Sequence, residues 1–375
     1  MNYLLMLAGT VLLVIGAELL VRGASRLAFL IKISPLVVGL TVVAFGTGAP
    51  ELAVSVASAL KGDAAIAVGN VVGSNIFNVL LILGLSAIVI PLSVARQVVR
   101  FDMPLVIFVS LMLWAIASDG SISRSEGVML AIGLIVYTVW SIKQSRKEST
   151  TVQEEYAHEF PPLSDTDTRI RSVAYLVLQI CLVIVGLAVL IAGSRLLVTG
   201  AVGLATALGV SSAVIGLTIV AAGTSLPEVA TSLIAAWKGE KDIAIGNVIG
   251  SNLFNILGVL GLSAIVAPNG LSVTSSFLQF DIPIMVLVAI LCYSMLIRGR
   301  EIARWEGAVF LICYVLYLVV TVFVETNHRW APDPVKIMWY VALPFTAAFA
   351  LFGVVHQPKS HTLPEVTSEK DAHSS

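Results

Sequence analysis

Apolar residues run along this chain in long blocks separated by short polar interruptions. Blocks long enough to cross about 30 Å of hydrocarbon fall at 3–21, 35–60, 64–90, 103–118, 126–142, 173–198, 211–237, 243–267, 281–297, 306–324 and 336–355. Eleven helical spans are therefore predicted. The last is interrupted by Pro344, which membrane helices tolerate. Residues 143–172, with Pro161-Pro162 and many Ser, Thr, Glu and Asp, form the one long polar linker and read as solvated and poorly ordered. The expected organisation is a first five-span unit (1–142), the linker (143–172), a second five-span unit (173–325), an extra helix (326–355) and a disordered polar tail (356–375).

Composition supports this reading. The chain has 375 residues, 58% hydrophobic and 12% charged, with a mean hydropathy of +0.97. Soluble domains carry about 25% charged residues, so an all-α polytopic membrane protein is indicated. The net charge of −1 says little about partners; the lipid bilayer is expected, with no nucleic acid and no protein partner evident. The start, Met1-Asn2-Tyr3-Leu4, lacks a basic segment, and no small-residue cleavage pattern follows, so it is expected to be a retained span. Cys181, Cys292 and Cys313 are scattered through apolar runs and read as packing residues rather than disulfide or metal partners.

The two halves are copies. Residues 39–91 align with 216–268 without a gap, with 33 of 53 positions identical. The same offset of 177 pairs Gly16 with Gly193 and Gly23 with Gly200, and Phe101-Asp102-Met103-Pro104 matches Phe280-Asp281-Ile282-Pro283 after a two-residue insertion. Five spans is an odd number, so the second copy enters the membrane from the opposite side. Inverted repeats of this kind build secondary transporters whose sites sit near the midplane where the copies meet. With the N-terminus outside, predicted inner loops hold fourteen Lys and Arg (Arg26, Lys32, Arg96, Arg100, Lys143, Arg146, Lys147, Arg169, Arg171, Lys238, Lys241, Arg298, Arg300, Arg304) and outer loops four (Lys61, Arg124, Arg329, Lys336). The positive-inside rule then places the linker and the tail in the cytoplasm.

Within the repeats, two motifs carry chemistry. The second span contains Gly46-Thr47-Gly48-Ala49-Pro50-Glu51 and the seventh Gly223-Thr224-Ser225-Leu226-Pro227-Glu228. Pro50 and Pro227 lack an N–H, so the carbonyls four residues back lose their helical partners, and the glycines loosen the backbone further. A local break exposing carbonyl oxygens beside a carboxylate is expected in each copy. An intramembrane glutamate is a functional candidate by default. The third and eighth spans contribute Gly69-Asn70-Val71-Val72-Gly73-Ser74-Asn75-Ile76-Phe77-Asn78 and Gly246-Asn247-Val248-Ile249-Gly250-Ser251-Asn252-Leu253-Phe254-Asn255. Asn70, Ser74 and Asn78 fall along one side of a helix, as do Asn247, Ser251 and Asn255. Asn75 and Asn252 lie off that side and read as helix-to-helix glue. The glycine spacings permit close helix approach.

Carboxylates, amide oxygens, hydroxyls and carbonyls are hard donors suited to calcium, which takes about 6–8 of them, and to sodium. Two glutamates balance one divalent ion. All five histidines (His158, His328, His356, His361, His373) lie in loops or the tail, so no imidazole relay for protons is available. Among the other charges, Glu18 corresponds to Arg195 and lies one turn from Arg22, which reads as a structural or gating ion pair. Asp102 and Asp281 precede prolines at predicted helix starts and read as N-caps. Glu126 and Glu306 open the fifth and tenth spans, where a carboxylate favours the helix dipole.

The recurring GTGAPE/GTSLPE and GNVVGSNIFN/GNVIGSNLFN motifs resemble the α-repeats of the cation/calcium exchanger superfamily. That resemblance covers both repeats closely and the ten-span layout broadly. It implies a prokaryotic-type sodium/calcium antiporter of the inner membrane, with calcium and sodium ions as its partners, working by alternating access with the first and sixth spans as gating helices, and no enzyme activity or cofactor. By resemblance, Glu51 and Glu228 bind calcium and contribute to sodium binding. Thr47, Thr224, Ser225 and the carbonyls of Ala44 and Ala221 would line flanking sites, and Ser74, Ser251, Asn78 and Asn255 match ligand positions. Two departures stand out. Gly48 replaces the usual Ser, and Asn255 stands where potassium-dependent members have Asp, which implies potassium independence. A calcium/proton antiporter is the alternative, with a cation channel behind it.

Overall fold

The computed structural model describes residues 1–159, 173–210, 221–326 and 332–355, with the single positions Ile215 and Ile219. Its membrane helices are α1 (Asn2–Ile31), α2 (Pro35–Thr47 and Ala49–Lys61), α3 (Ala64–Val89), α4 (Val98–Asp119), α5 (Arg124–Glu159), α6 (Val173–Ala207), α7 (Ala221–Thr224 and Leu226–Trp237), α8 (Lys241–Val266), α9 (Phe277–Gly299), α10 (Arg304–Glu325) and α11 (Pro334–Leu351). Among the described residues nine helices are long and apolar enough to cross a membrane, and α2, bent by 48° at its break, makes ten. The seventh predicted span is seen as α7. Most of 211–220 lies outside the described residues, as do 160–172 of the expected linker and all of the expected tail, 356–375.

The helix of α5 runs further than expected, through Glu159 and so into the polar stretch beginning at 143. Lys, Gln, Glu and Arg recur there, and these residues favour helix once a membrane span has nucleated it. Two short ribbons were not foreseen. β1 (Leu92–Ser93) pairs antiparallel with β4 (Glu301–Ile302), and β2 (Ser121–Ile122) pairs with β3 (Leu271–Ser272). Each joins a loop of one copy to a loop of the other.

Burial orders the helices. The most apolar windows of α3 and α8 are 78% and 89% buried, whereas those of α1, α5, α6 and α10 are a third buried or less. The polar-motif helices thus form the centre, and the uniformly apolar ones present side chains such as Leu7, Ile135, Ile184 and Leu316 to the lipid. Glu126 and Glu306 behave as expected of carboxylates at helix starts, accepting hydrogen bonds from the backbone N–H of Ser123 (2.7 Å) and Ala303 (2.8 Å).

The outer pair α1 and α6 is joined by glycine. Gly9, Gly16 and Gly23 recur every seven residues on α1, and Gly186, Gly193 and Gly200 on α6. A Cβ on Gly16 would lie 2.7 Å from the Leu190 backbone nitrogen, and one on Gly193 2.8 Å from that of Leu13. The backbones touch because no side chain separates them. Gly193→Val is therefore expected to destabilise the protein by at least about 1–3 kcal/mol, seen as a lower melting temperature in detergent. Gly299→Ala, where a Cβ meets nothing within 4 Å, should leave melting unchanged.

Glu18 of α1 does form the anticipated ion pair with Arg22, and also reaches Lys238 at the end of α7 (2.7 Å). The hydroxyl of Ser25 donates to Glu240 beside it (2.8 Å). Arg195, the equivalent of Glu18, makes no ion pair among the described residues.

Candidate cation site

The breaks in α2 and α7 set the site. Gly48 (φ −76°, ψ 2°) and Ser225 (φ −88°, ψ 5°) adopt the same bridge conformation, two residues before each proline. The chain resumes as helix at once, with Glu51 and Glu228 in the first turn of the second half-helix, where the helix dipole favours negative charge. Both carboxylates are buried, at 1% and 2% exposure.

Around them the predicted residues converge. The Ser225 hydroxyl donates to Glu51 Oε1 (2.8 Å) and lies 3.2 Å from the Ser74 hydroxyl. Thr47 Oγ1 donates to Asn247 Oδ1 (3.2 Å), and Thr224 Oγ1 to Asn70 Oδ1 (3.4 Å). Asn70 and Asn247 spend their own amide protons on the half-helices, donating to the carbonyls of Glu51 (3.2 Å) and Glu228 (3.4 Å) and to the hydroxyls of Ser55 and Ser232 (both 2.9 Å). They hold the glutamate-bearing segments in place and leave no donor free for the interior. Ala44 and Ala221 each open the short helical turn just before the break.

Among the described residues nine buried side-chain oxygens have no hydrogen-bond partner, and five of them belong to the predicted ligand residues: Glu51 Oε2, Glu228 Oε2, Asn78 Oδ1, Asn255 Oδ1 and Ser251 Oγ. Buried polar atoms are nearly always paired, and a carboxylate or amide oxygen can only accept. Four of the five are carboxylate or amide oxygens, a kind of acceptor that a cation can satisfy. The candidate donors are all oxygens, two of them on carboxylates, a hard set that fits calcium or sodium better than a transition metal.

The sequence profile of the family described as "Sodium/calcium exchanger protein" matches residues 1–143 and 178–323. The chain belongs to that family. Among curated proteins it is 40% identical over 314 residues to "Putative antiporter CaxA" of Alkalimonas amylolytica, covering 83% of this chain and 95% of that one. It is 36% identical over 324 residues to "Inner membrane protein YrbG" of Escherichia coli (84% and 97% covered) and 33% identical over 355 residues to "Sodium/calcium exchanger MaX1" of Methanosarcina acetivorans (86% and 99%). A solved structure of the sodium-calcium exchanger NCX_Mj superposes with a TM-score of 0.72 at 30% identity, covering 85% of this chain and 98% of that one. The protein is thus a multi-pass membrane transporter of the exchanger family and not an enzyme.

In this exchanger several features differ from the sequence-based expectation. Asp102 and Asp281 do not cap helices. The chain is already helical on both sides of each, so there is no free first turn to cap. Instead Asp102 accepts from Tyr137 Oη (3.1 Å) and Gln97 Nε2 (3.2 Å), and Asp281 from Tyr317 Oη (3.0 Å), which ties α4 to α5 and α9 to α10. The carbonyl of Gly223, freed by Pro227, is also taken. The Ser194 hydroxyl of α6 donates to it at 2.6 Å, whereas the equivalent residue in the first copy is Ala17. Gly246 and Gly250 do permit close approach, since Cβ atoms there would lie 2.6 and 2.5 Å from the carbonyl oxygens of Leu36 and Leu40 on α2. Among the described residues a Cβ on Gly69 would lie 3.1 Å from the Phe277 ring, and one on Gly73 would meet nothing within 4 Å.

Asn75 and Asn252 bridge helices, as expected, and do so between the two copies. Asn78 Nδ2 donates to Asn252 Oδ1 (3.0 Å) and Asn255 Nδ2 to Asn75 Oδ1 (3.1 Å), reciprocally across the two copies. Each bond consumes the amide's donor end and leaves the acceptor, Asn78 Oδ1 or Asn255 Oδ1, as one of the orphaned oxygens. Beyond this layer α3 and α8 change to π-helical turns, at Asn78–Leu83 and Phe254–Leu260, a distortion common at functional sites.

Proposed function

We propose that this protein exchanges sodium for calcium across the membrane, independently of potassium. The observation that carries the reading is the group of buried acceptor oxygens on Glu51, Glu228, Asn78 and Asn255, which a cation would satisfy and no protein donor does. Glu51 and Glu228 would neutralise one calcium ion, with Asn78, Asn255, Ser74 and Ser251 completing its shell. Sodium ions would use the same carboxylates together with Thr47, Thr224, Ser225 and the carbonyls of Ala44 and Ala221. Calcium and sodium sharing two carboxylates would compete, and competition couples their fluxes. Relatives named as antiporters and as a sodium/calcium exchanger support this reading, and the neutral Asn255 supports potassium independence.

The bacterial inner membrane, with the N-terminus outside and 143–172 cytoplasmic, is the orientation that the Lys and Arg distribution supports. The α1–α6 pair is suited to gating. Its α6 member lies directly on both breaks, since a Cβ on Gly46 would meet Leu187 and one on Gly223 would meet Val198, each at 2.5 Å. No cofactor is required. Calcium-45 uptake into vesicles loaded in turn with sodium, potassium or protons tests the proposal. Uptake is expected from sodium-loaded vesicles and should collapse when the gradient is dissipated. Uptake driven by a proton gradient in sodium-free medium would replace this reading with calcium/proton exchange.

A further inference from the structure

The two halves of the cage are not equivalent, and the reason is steric. Ser225 bridges Glu51 and Ser74 with its hydroxyl. The repeat places Gly48 where it would bridge Glu228 and Ser251 in the same way, but Gly48 has no hydroxyl, and Ser251 Oγ is left without a partner where Ser74 has one; Oε2 is unpartnered in both glutamates. The backbone does not require glycine, because Ser225 holds the same conformation. Space does. A Cβ on Gly48 would stand 2.9 Å from the ring of Phe254, which stacks on Phe45 with centroids 4.7 Å apart. In the other copy Phe45 is replaced by Ala222, and the equivalent ring, Phe77, packs edge-on against Tyr314 (5.5 Å). Ser225 therefore has room.

We propose that Phe45, Gly48 and Phe254 together determine ion specificity by depriving the Glu228 half of one hydroxyl ligand, so that this half binds a coupling sodium ion more weakly than the Glu51 half and sets the sodium concentration needed for transport. The inference rests on the sodium/calcium exchange proposed above. A monovalent ion depends on neutral oxygens more than calcium does, because it gains less from each carboxylate. The loss therefore falls on sodium more than on calcium.

Installing the second copy's residues in the first tests this. In Phe45→Ala/Gly48→Ser the stack is removed and the hydroxyl supplied. Sodium affinity is measured twice, as half-saturation of sodium-driven calcium flux in proteoliposomes and as calorimetric sodium binding to purified protein. The double variant is expected to bind sodium about fivefold more tightly, the usual effect of one added polar contact, with calcium half-saturation changed much less. Phe45→Ala/Gly48→Ala, which adds bulk without a hydroxyl, should show no gain. Ser225→Gly, which needs no repacking, should weaken sodium by a similar factor. Unchanged sodium binding in both Phe45→Ala/Gly48→Ser and Ser225→Gly would overturn the inference, as would equal tightening by the Ala control. Sodium binding that shifts as expected in a protein without sodium-driven flux would uphold the asymmetry and refute the exchange reading alone.

Discussion

Glu51→Gln and Glu228→Gln are each expected to abolish sodium-driven calcium uptake while leaving a folded, monodisperse protein. The substitution keeps shape and one acceptor oxygen, so the 2.8 Å hydrogen bond from Ser225 to position 51 can survive. What changes is charge and polarity at Oε2, a buried acceptor without a protein partner in both residues. A divalent ion leaving water for this site is balanced by two carboxylates. With one removed, a net charge stays buried, and breaking a buried ion pair in this way costs about 3–5 kcal/mol, a loss in affinity of hundreds-fold or more. The new NH₂ group also points a donor into a set of acceptors. Calcium-45 uptake and direct calcium titration read the effect. Exchange within about twofold of wild type in either variant would remove that glutamate from the site, since the cost cited above excludes so small a change.

Much of this arrangement could be read from the sequence, because duplication makes a weak signal strong. A glutamate beside a proline in one apolar segment is ambiguous, but its recurrence at Glu228, with Asn-x-x-x-Ser-x-x-x-Asn following in both copies, is not. Long-range partners were hidden. Asp102 looked like a helix cap because Pro104 follows it, yet its partner Tyr137 lies on the next helix. Lys238 is 220 residues from Glu18, and nothing local marks the pair. The fate of the Gly223 carbonyl depends on Ser194, which enters from a neighbouring helix. Helical periodicity also sorts residues by the face of one helix only. It put Asn75 and Asn252 off the side that bears Asn70, Ser74 and Asn78 and their counterparts, but gave no sign that each faces the other copy. The departure at Gly48 was visible as a missing hydroxyl, while its cause, a ring held by Phe45, required the packing.

Asn252→Ala is expected to lower calcium affinity by roughly 10- to 100-fold, the range seen when a group supporting a metal ligand is removed, with the maximal rate much less affected. An asparagine amide can rotate to offer either its oxygen or its NH₂. In the exchanger, Asn252 Oδ1 settles that choice for Asn78 by accepting from Nδ2 at 3.0 Å, which leaves Asn78 Oδ1 as the unpartnered acceptor. Without Asn252 the Nδ2 protons lose their partner, and presenting them to the cage opposes a cation where the oxygen favoured it. Asn75→Ala should act alike through Asn255, whose Nδ2 donates to Asn75 Oδ1 at 3.1 Å. A purely structural role predicts something different: lower stability and fewer active molecules, with calcium half-saturation unchanged. Measuring half-saturation and maximal rate separately, alongside melting temperature in detergent, distinguishes the two. A wild-type calcium half-saturation in both alanine variants would show that the cross-copy amide pairs join the halves without orienting ligands.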